Sequence, residues 1–300
     1  MHLRLLSALV ATSLGAAPAL AQELTGTLKK IKETGAVSLG HRESSVPFSY
    51  YDDRQQVVGY AMDLCARIVD RVKSELKLDK LETKLNPVTS ATRIPLMANG
   101  TIDLECGSTT NNLERQKQVT FTITHFVTAN RFVLKKSANL QTVDDLKGKT
   151  VVSTSGTTNI KQITEIGAQK GLNLNILAAK DHAEAFLMVE TGRAAAFVMD
   201  DILLYSSVAA SKSPKDYVIS SDALSVEPYG IMLRRDDPSF KKVVDEAMIA
   251  SYKSGAINPI YEKWFLKPIP PKGVNLNVPV SDAFKKVIAS PTDSGDPAVY

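Results

Sequence analysis

Apolar positions along this chain follow two periods, and the two alternate from about residue 36 onward. "AVSLGH" (36–41) reads as a strand. After Gly59, Met62, Leu64, Cys65, Ile68, Val69 and Val72 fall at helical spacing in "YAMDLCARIVDRVKSEL". "LETKLNPV" predicts a second strand, 92–99 a short helix closed by Gly100, "TIDLEC" a third strand, and 111–118 a further helix. Strands alternating with helices predict an α/β layer with a largely parallel sheet.

"VTANRFVL" (127–134) is extended and leads to the polar run Lys135-Lys136-Ser137-Ala138-Asn139, after which a second alternating series begins. It reads as strand "KTVVSTS", a helix from 157 to about 170, strand "LNLNILAA", a helix over 184–191, strand "AAAFVM" and a helix over 201–210. "YGIMLRR" (229–235) is extended again, and helices follow over 238–253 and 258–265. If those helices return to the first unit, strands near 130 and 228 link two α/β lobes as a hinge. The expected division is 22–128 and 228–267 for the first lobe and 129–227 for the second, with 268–300 as an extension. That extension is rich in proline, holds a helix over 281–289 capped by Ser281, and ends in "SPTDSGDPAVY", which has little to bury and is expected to be loose. Ahead of everything stands a short basic start, an apolar run and Ala19-Leu20-Ala21, the pattern of a secretory signal peptide over 1–21. No cysteine lies near that cleavage point, which argues against a lipid anchor, and no later run is apolar enough to span a membrane.

Composition refines this picture only modestly. Of 300 residues 44% are hydrophobic and 23% charged, enough for two cores. Loss of Arg4 with the leader leaves 35 cations against 32 acids, a mild excess with no basic run of the kind nucleic acid requires. Cys65 and Cys106 remain in an exported chain, where they could pair or serve as two small buried thiols. Neither forms a Cys-x-x-Cys or zinc spacing, so no metal or cofactor is expected.

Motifs for catalysis are weak. There is no Gly-x-Ser-x-Gly and no phosphate loop, and His41, His125 and His182 have no His or Cys partner at ligand spacing. Groups for anion recognition are better supplied. Arg42 follows the first strand, Ser90 and Arg93 the second, and Ser108, Thr110 and Arg115 the third. Ligands of open α/β sheets bind outside the carboxyl ends of the strands, and arginine's fork matches a carboxylate. In the second series Thr157 and Thr158 open a helix whose free amides attract an anion, His182 stands at the next junction, and Asp200 ends an apolar strand. Each has a plainer reading: Arg42 pairing with Glu43, Ser90 or Thr157 capping a helix, Arg115 pairing with Glu114, His182 packing, Asp200 facing Lys180 or capping. Together, one acid for an ammonium and several cations for more than one anion suit an acidic amino acid.

The stretches "PFSYYDDRQQVVGYAMDL", "GTIDLECGSTTNNLERQKQVTFT", "DLKGKTVVSTSGTT" and "GRAAAFVMDD" resemble the periplasmic amino-acid-binding proteins of ABC transporters over about residues 30–267. "GHRESSVPFSYYD" and "ECGSTTNNLERQK" are similar in particular to the glutamate/aspartate-binding branch. The resemblance implies the type II binding-protein fold and a non-enzymatic monomer that closes over L-glutamate or L-aspartate. The closed form would be read by a membrane permease with its ATPase. It also implies roles. Arg115 with the amides near Thr157 and Thr158 would hold the α-carboxylate. Asp200, with Thr110 and the main chain at Ser108, would hold the ammonium. Arg42, Ser90, Arg93 and His182 would hold the side-chain carboxylate, with Pro47-Phe48 shaping the turn and offering an apolar face. The alternatives are a binder of glutamine or another polar amino acid, a periplasmic dehydratase recruiting Asp200 or Glu105, or a sensor domain.

Overall fold

The computed structural model describes residues 24–300, and the leader expected over 1–21 lies outside them. The first described helix, α1 (Gly26–Thr34), was not foreseen from the sequence; it buries Leu28 and Ile31. Strand β1 (Ala36–His41) follows, then a small antiparallel sheet of β2 (Ser44–Ser45), β3 (Ser49–Tyr51) and β4 (Val57–Val58). Helix α2 (Tyr60–Glu75) buries the apolar stripe read from its spacing, with Met62 half-buried at its edge. Next come β5 (Glu82–Pro87), α3 (Arg93–Ala98), β6 (Leu104–Cys106) and β7 (Val119–Phe121). The helix expected over 111–118 is absent; only a single 3-10 turn forms, at Arg115–Lys117. The Asn112 side chain accepts from the Arg115 amide at 2.8 Å in the manner of a helix cap, but the chain enters β7 at Val119 and leaves no room for more than one turn.

The second sheet comprises β8 (Phe126–Lys135), β9 (Thr150–Thr154), β10 (Asn175–Ala179), β11 (Ala196–Asp200), β12 (Tyr217–Ile219) and β13 (Ser225–Tyr229). Helices α4 (Thr158–Gln169), α5 (His182–Glu190) and α6 (Asp201–Ala210) follow β9, β10 and β11. The chain then returns through β14 (Met232–Arg234) and α7 (Pro238–Lys253). The helix expected over 258–265 is α8 (Ile257–Tyr261) continued by a π-helical turn to Leu266, and α9 (Asp282–Ala289) starts at the Ser281 cap.

The two sheets have orders β5-β1-β6-β14-β7 and β10-β9-β11-β8-β12, with β13 also on β8. In the first, β1 lies parallel to β5 and β6 and brings His41 level with both Pro87 and Cys106. The three chain segments after these strands therefore leave one edge together. In the second, β10 and β9 are parallel and end level at Ala179 and Thr154. The run 229–235 breaks at Gly230, where an added Cβ would meet Phe121 Cβ at 2.9 Å. β13 and β8 pair antiparallel from Ser225↔Asn130 to Tyr229↔Phe126 and connect the sheets. At their root the Phe48 ring is fully buried against Phe126, Tyr229, Tyr60 and Phe265, with centroids 5.1–5.9 Å apart. Phe48 thus anchors the aromatic core, and burying such a ring is worth roughly 1.5–3 kcal/mol.

Cys65 on α2 and Cys106 on β6 are joined, with Cα atoms 6.2 Å apart, so the open choice between disulfide and thiols resolves to the disulfide. The end of the chain is not loose: Thr292 O accepts from Thr124 N at 2.8 Å, and Tyr300 Oη lies 2.7 Å from Thr124 Oγ1. Backbone groups can dock a segment that has few apolar side chains.

Candidate ligand-binding site

All ten residues singled out from the sequence lie at the facing edges of the two sheets. Nine are buried and Thr158 is partly so. Arg42 and Arg93, each 2% exposed, act electrostatically on one another. Burial, then Arg93, lowers Arg42 to about 10. Arg93 Nη1 donates to Thr109 Oγ1 at 2.5 Å and to Ser108 O at 3.4 Å, and the Thr109 hydroxyl donates to the fully buried Glu105 carboxylate. Arg115, lowered to about 10 by burial and then by Arg93, donates to Thr110 O at 2.8 Å and across the cleft to Gly156 O at 3.3 Å. Glu114 does not pair with Arg115; it pairs with Lys161 on α4. Among the described residues Arg42 likewise makes no ion pair with Glu43.

The opposite edge is built from α4, α5 and the end of β11. Thr157 caps α4, accepting from Ile160 N at 3.3 Å while donating to Thr154 O at 2.7 Å. The Thr158 hydroxyl donates to Glu227 on β13 at 3.0 Å, so the group that Thr158 can offer an anion is its main-chain amide in the first turn of α4, not its hydroxyl. Gly156 precedes them at φ +77°, where an added Cβ would sit 2.5 Å from Ala91 Cα, so only glycine lets the two edges meet here. The helix after β10 starts at His182, capped by Asp181, two residues earlier than its spacing predicts. His182 Nδ1 lies 2.8 Å from Thr154 Oγ1, and burial followed by Arg42 and Arg93 holds the ring well below its usual pKa, hence neutral. Asp200 does not cap α6. It accepts from Asn159 at 2.7 Å and from the Tyr229 hydroxyl. Burial, then Glu227, pushes Asp200 up to about 7.

Five of the ten residues bury an atom with no hydrogen-bond partner among the described residues, namely Arg42 Nη1, Arg93 Nε, Ser90 Oγ, Ser108 Oγ and His182 Nε2, and beside them the Glu105 Oε1 acceptor is unpartnered too. Leaving such a group unpaired costs about 1–3 kcal/mol, and more for a charged one. Cavities of about 960, 630 and 210 Å³ elsewhere on the molecule are lined by none of the ten residues. The cluster is buried between the sheets, and its unpaired polar atoms mark it. Among the described residues no group of three His, Cys, Asp or Glu side chains is placed to hold a metal, and no helix is long and apolar enough to cross a membrane.

The model of the bacterial extracellular solute-binding proteins, family 3, matches residues 37–267. The chain belongs to this family. It is 54% identical over 290 residues to the L-glutamate/L-aspartate-binding protein of Pseudomonas aeruginosa, covering 96% of each chain. It is 46% identical to the glutamate/aspartate import solute-binding protein of Escherichia coli, covering 96% of this chain and 94% of that one. Both relatives carry the name of a binding protein. Among solved structures, a mutant of ArgBP from T. maritima aligns with TM-score 0.70 at 29% identity, over 79% of this chain and 98% of that one. The fold is the type II binding-protein architecture expected from the sequence.

Glu227, Asn159 and Tyr229 were not singled out from the sequence, although they hold the site's polar groups, and Thr109, which stands in the run after the third strand, bonds Arg93 and Glu105. Glu227 had one legible signal, a lone acid in the extended run "SVEPY", where it is 1% exposed. Asn159 had none, because its partner Asp200 arrives from an element 41 residues along the chain.

Proposed function

We propose that the protein is the periplasmic solute-binding component of an amino-acid ABC importer, taking L-glutamate or L-aspartate between two lobes. The lobes comprise 22–128 with 228–267 and 129–227, and 1–21 is the export signal. The observation that carries the reading is the set of five unpartnered atoms, four of them at positions assigned to a side-chain carboxylate. Arg42 Nη1 and Arg93 Nε can only donate. Neutral His182 shares a hydrogen bond with Thr154 Oγ1 through Nδ1, and in the tautomer in which that hydroxyl donates, Nε2 carries the ring proton and donates as well. A carboxylate accepts all of these donors, whereas the NH2 of a carboxamide opposes them. A site built this way rejects the mismatched analogue by up to about 10⁴-fold.

Arg115 and the first amides of α4 hold the α-carboxylate. Asp200, Thr110 and the Ser108 main chain hold the ammonium. Groups from both edges then touch one ligand, so the ligand favours the closed arrangement in proportion to its preference for it. The closed form, as a monomer, is what the permease and its ATPase would read. Calorimetric titration after removal of co-purified ligand tests this directly. Heat from glutamate and aspartate with little from glutamine is expected; heat from glutamine and none from glutamate would overturn the reading.

A further inference from the structure

The last ten residues lie far from the ligand cluster in sequence but cross the back of the segment that carries Arg115. Asp293 O accepts from Asn111 Nδ2 at 2.8 Å and from Gln116 Nε2 at 3.1 Å, so both flanks of the Arg115 turn hang on one carbonyl. Gln116 Nε2 also donates to Asn111 Oδ1 at 2.8 Å, and Asn111 is fully buried. Asp293 is itself fixed by Lys241 of α7 at 2.8 Å. One residue earlier, Thr292 O takes the Thr124 amide just ahead of the linking strand β8. The Tyr300 hydroxyl closes the loop, donating to Ser294 O at 2.8 Å and lying against Thr124 Oγ1. Gly295 packs so tightly that an added Cβ would stand 2.7 Å from Asn112 C and 2.8 Å from Leu113 N.

We propose that residues 292–300 form a positioning strap that holds the Asn111–Gln116 turn, and through it the Arg115 guanidinium, in register with the α-carboxylate of the ligand. The turn has little helical structure of its own, a single 3-10 turn, so its shape comes from these bonds and from the Asn112–Arg115 contact. Arg115 reaches Thr110 O and Gly156 O from that turn, and a shift of about 1 Å in a positioning group is enough to cost a hundredfold in a geometry-dependent interaction. The inference rests on the assignment of Arg115 to the α-carboxylate, and the experiment separates the two.

Binding of glutamate, glutamine and isoglutamine (the α-amide of glutamate) is measured by calorimetry for the full-length protein and for Gly295→Leu and Tyr300→Phe. In Gly295→Leu the strap cannot seat. Glutamate affinity is expected to fall about tenfold or more, and the preference for glutamate over isoglutamine to fall with it, while the preference over glutamine stays within about twofold. Tyr300→Phe moves the same ratio in the same direction by less, and carries the comparison alone should Gly295→Leu not fold. A strap that only adds stability would lower the melting temperature and leave both preferences intact, which overturns the proposal; a parallel fall of both preferences overturns it too. If the unaltered protein does not distinguish isoglutamine from glutamate, the Arg115 assignment itself fails, and the strap's role with it.

Discussion

The two edges that face each other across the cleft are built by different rules. On the first-sheet edge, Arg42 and Arg93 keep donors that no group among the described residues satisfies; burial disfavours both charges, Arg93 disfavours that of Arg42 further, and Glu105 favours both. On the second-sheet edge, Asp200 has its oxygens satisfied by Asn159 and Tyr229, both neutral, so its hydrogen bonds are complete while its charge is not. Hydrogen-bond satisfaction and charge compensation are separate requirements for a buried group. On the first edge both are incomplete, with Glu105 at 3.9 Å from Arg93 as a partial counter-charge, and that edge should decide which side chain is accepted. On the second edge Asp200 lacks only a full counter-charge and should read what every amino acid has, its ammonium, while His182 Nε2 joins the arginines at the ligand side chain.

That contrast breaks most visibly at Arg42. Arg42→Ala is expected to weaken glutamate and aspartate by about 10²–10³-fold, in line with truncation of a buried charge pair, while glutamine loses less than about fivefold. Equal losses by calorimetry would erase the distinction between the edges. Asp200→Ala should weaken all three ligands together, by about 10²-fold. An effect confined to one of them, or none, would remove it from the ammonium site.

The pH response sharpens the same contrast. Asp200 faces Glu227, Asp201, Tyr229, Arg93 and Arg115, and its folded pKa is raised to about 7 by burial and Glu227. An ammonium needs the ionised form, so affinity should fall by about tenfold per unit below pH 7, with proton release on binding measured by calorimetry in two buffers. The stability sign is the opposite. A raised carboxylate pKa favours the protonated folded state, so this contribution to the ligand-free protein is full below the unfolded value near 4 and is lost as pH rises through about 7. Melting temperatures of the unliganded protein and of Asp200→Asn, compared at pH 5.5 and 8, check it; the variant should not show this loss.

The smallest effect on binding is expected at the disulfide. Cys65→Ser with Cys106→Ser opens a link between residues 41 apart and should cost about 3–4 kcal/mol of stability in thermal unfolding. Binding should stay within about threefold, since Cys106 supports the strand beneath the arginine edge and supplies no donor to it. A large loss of affinity would mean that β6 sets the position of that edge more tightly than its hydrogen bonds suggest.

Much of this site was legible because strand periodicity fixes which residue leaves each strand. His41, Pro87 and Cys106 end three parallel neighbours, and the arginines and serines that follow converge for that reason alone. The helix starts at Thr157 and Ser281 were legible on the same ground, since a cap is a bond between residues three apart. By itself, then, the sequence determined the α/β order, the strand-end chemistry and the excess of cations over acids at one edge. Tertiary structure alone decided what those groups meet. Thr158 finds Glu227 69 residues away, Asp200 finds Tyr229, Cys65 finds Cys106, and the tail docks through the Asp293 carbonyl on Asn111, 182 residues distant, with Tyr300 against the core. Local spacing carries no information about such pairs, because they form only when two sheets and their linking strands have closed the distances between them.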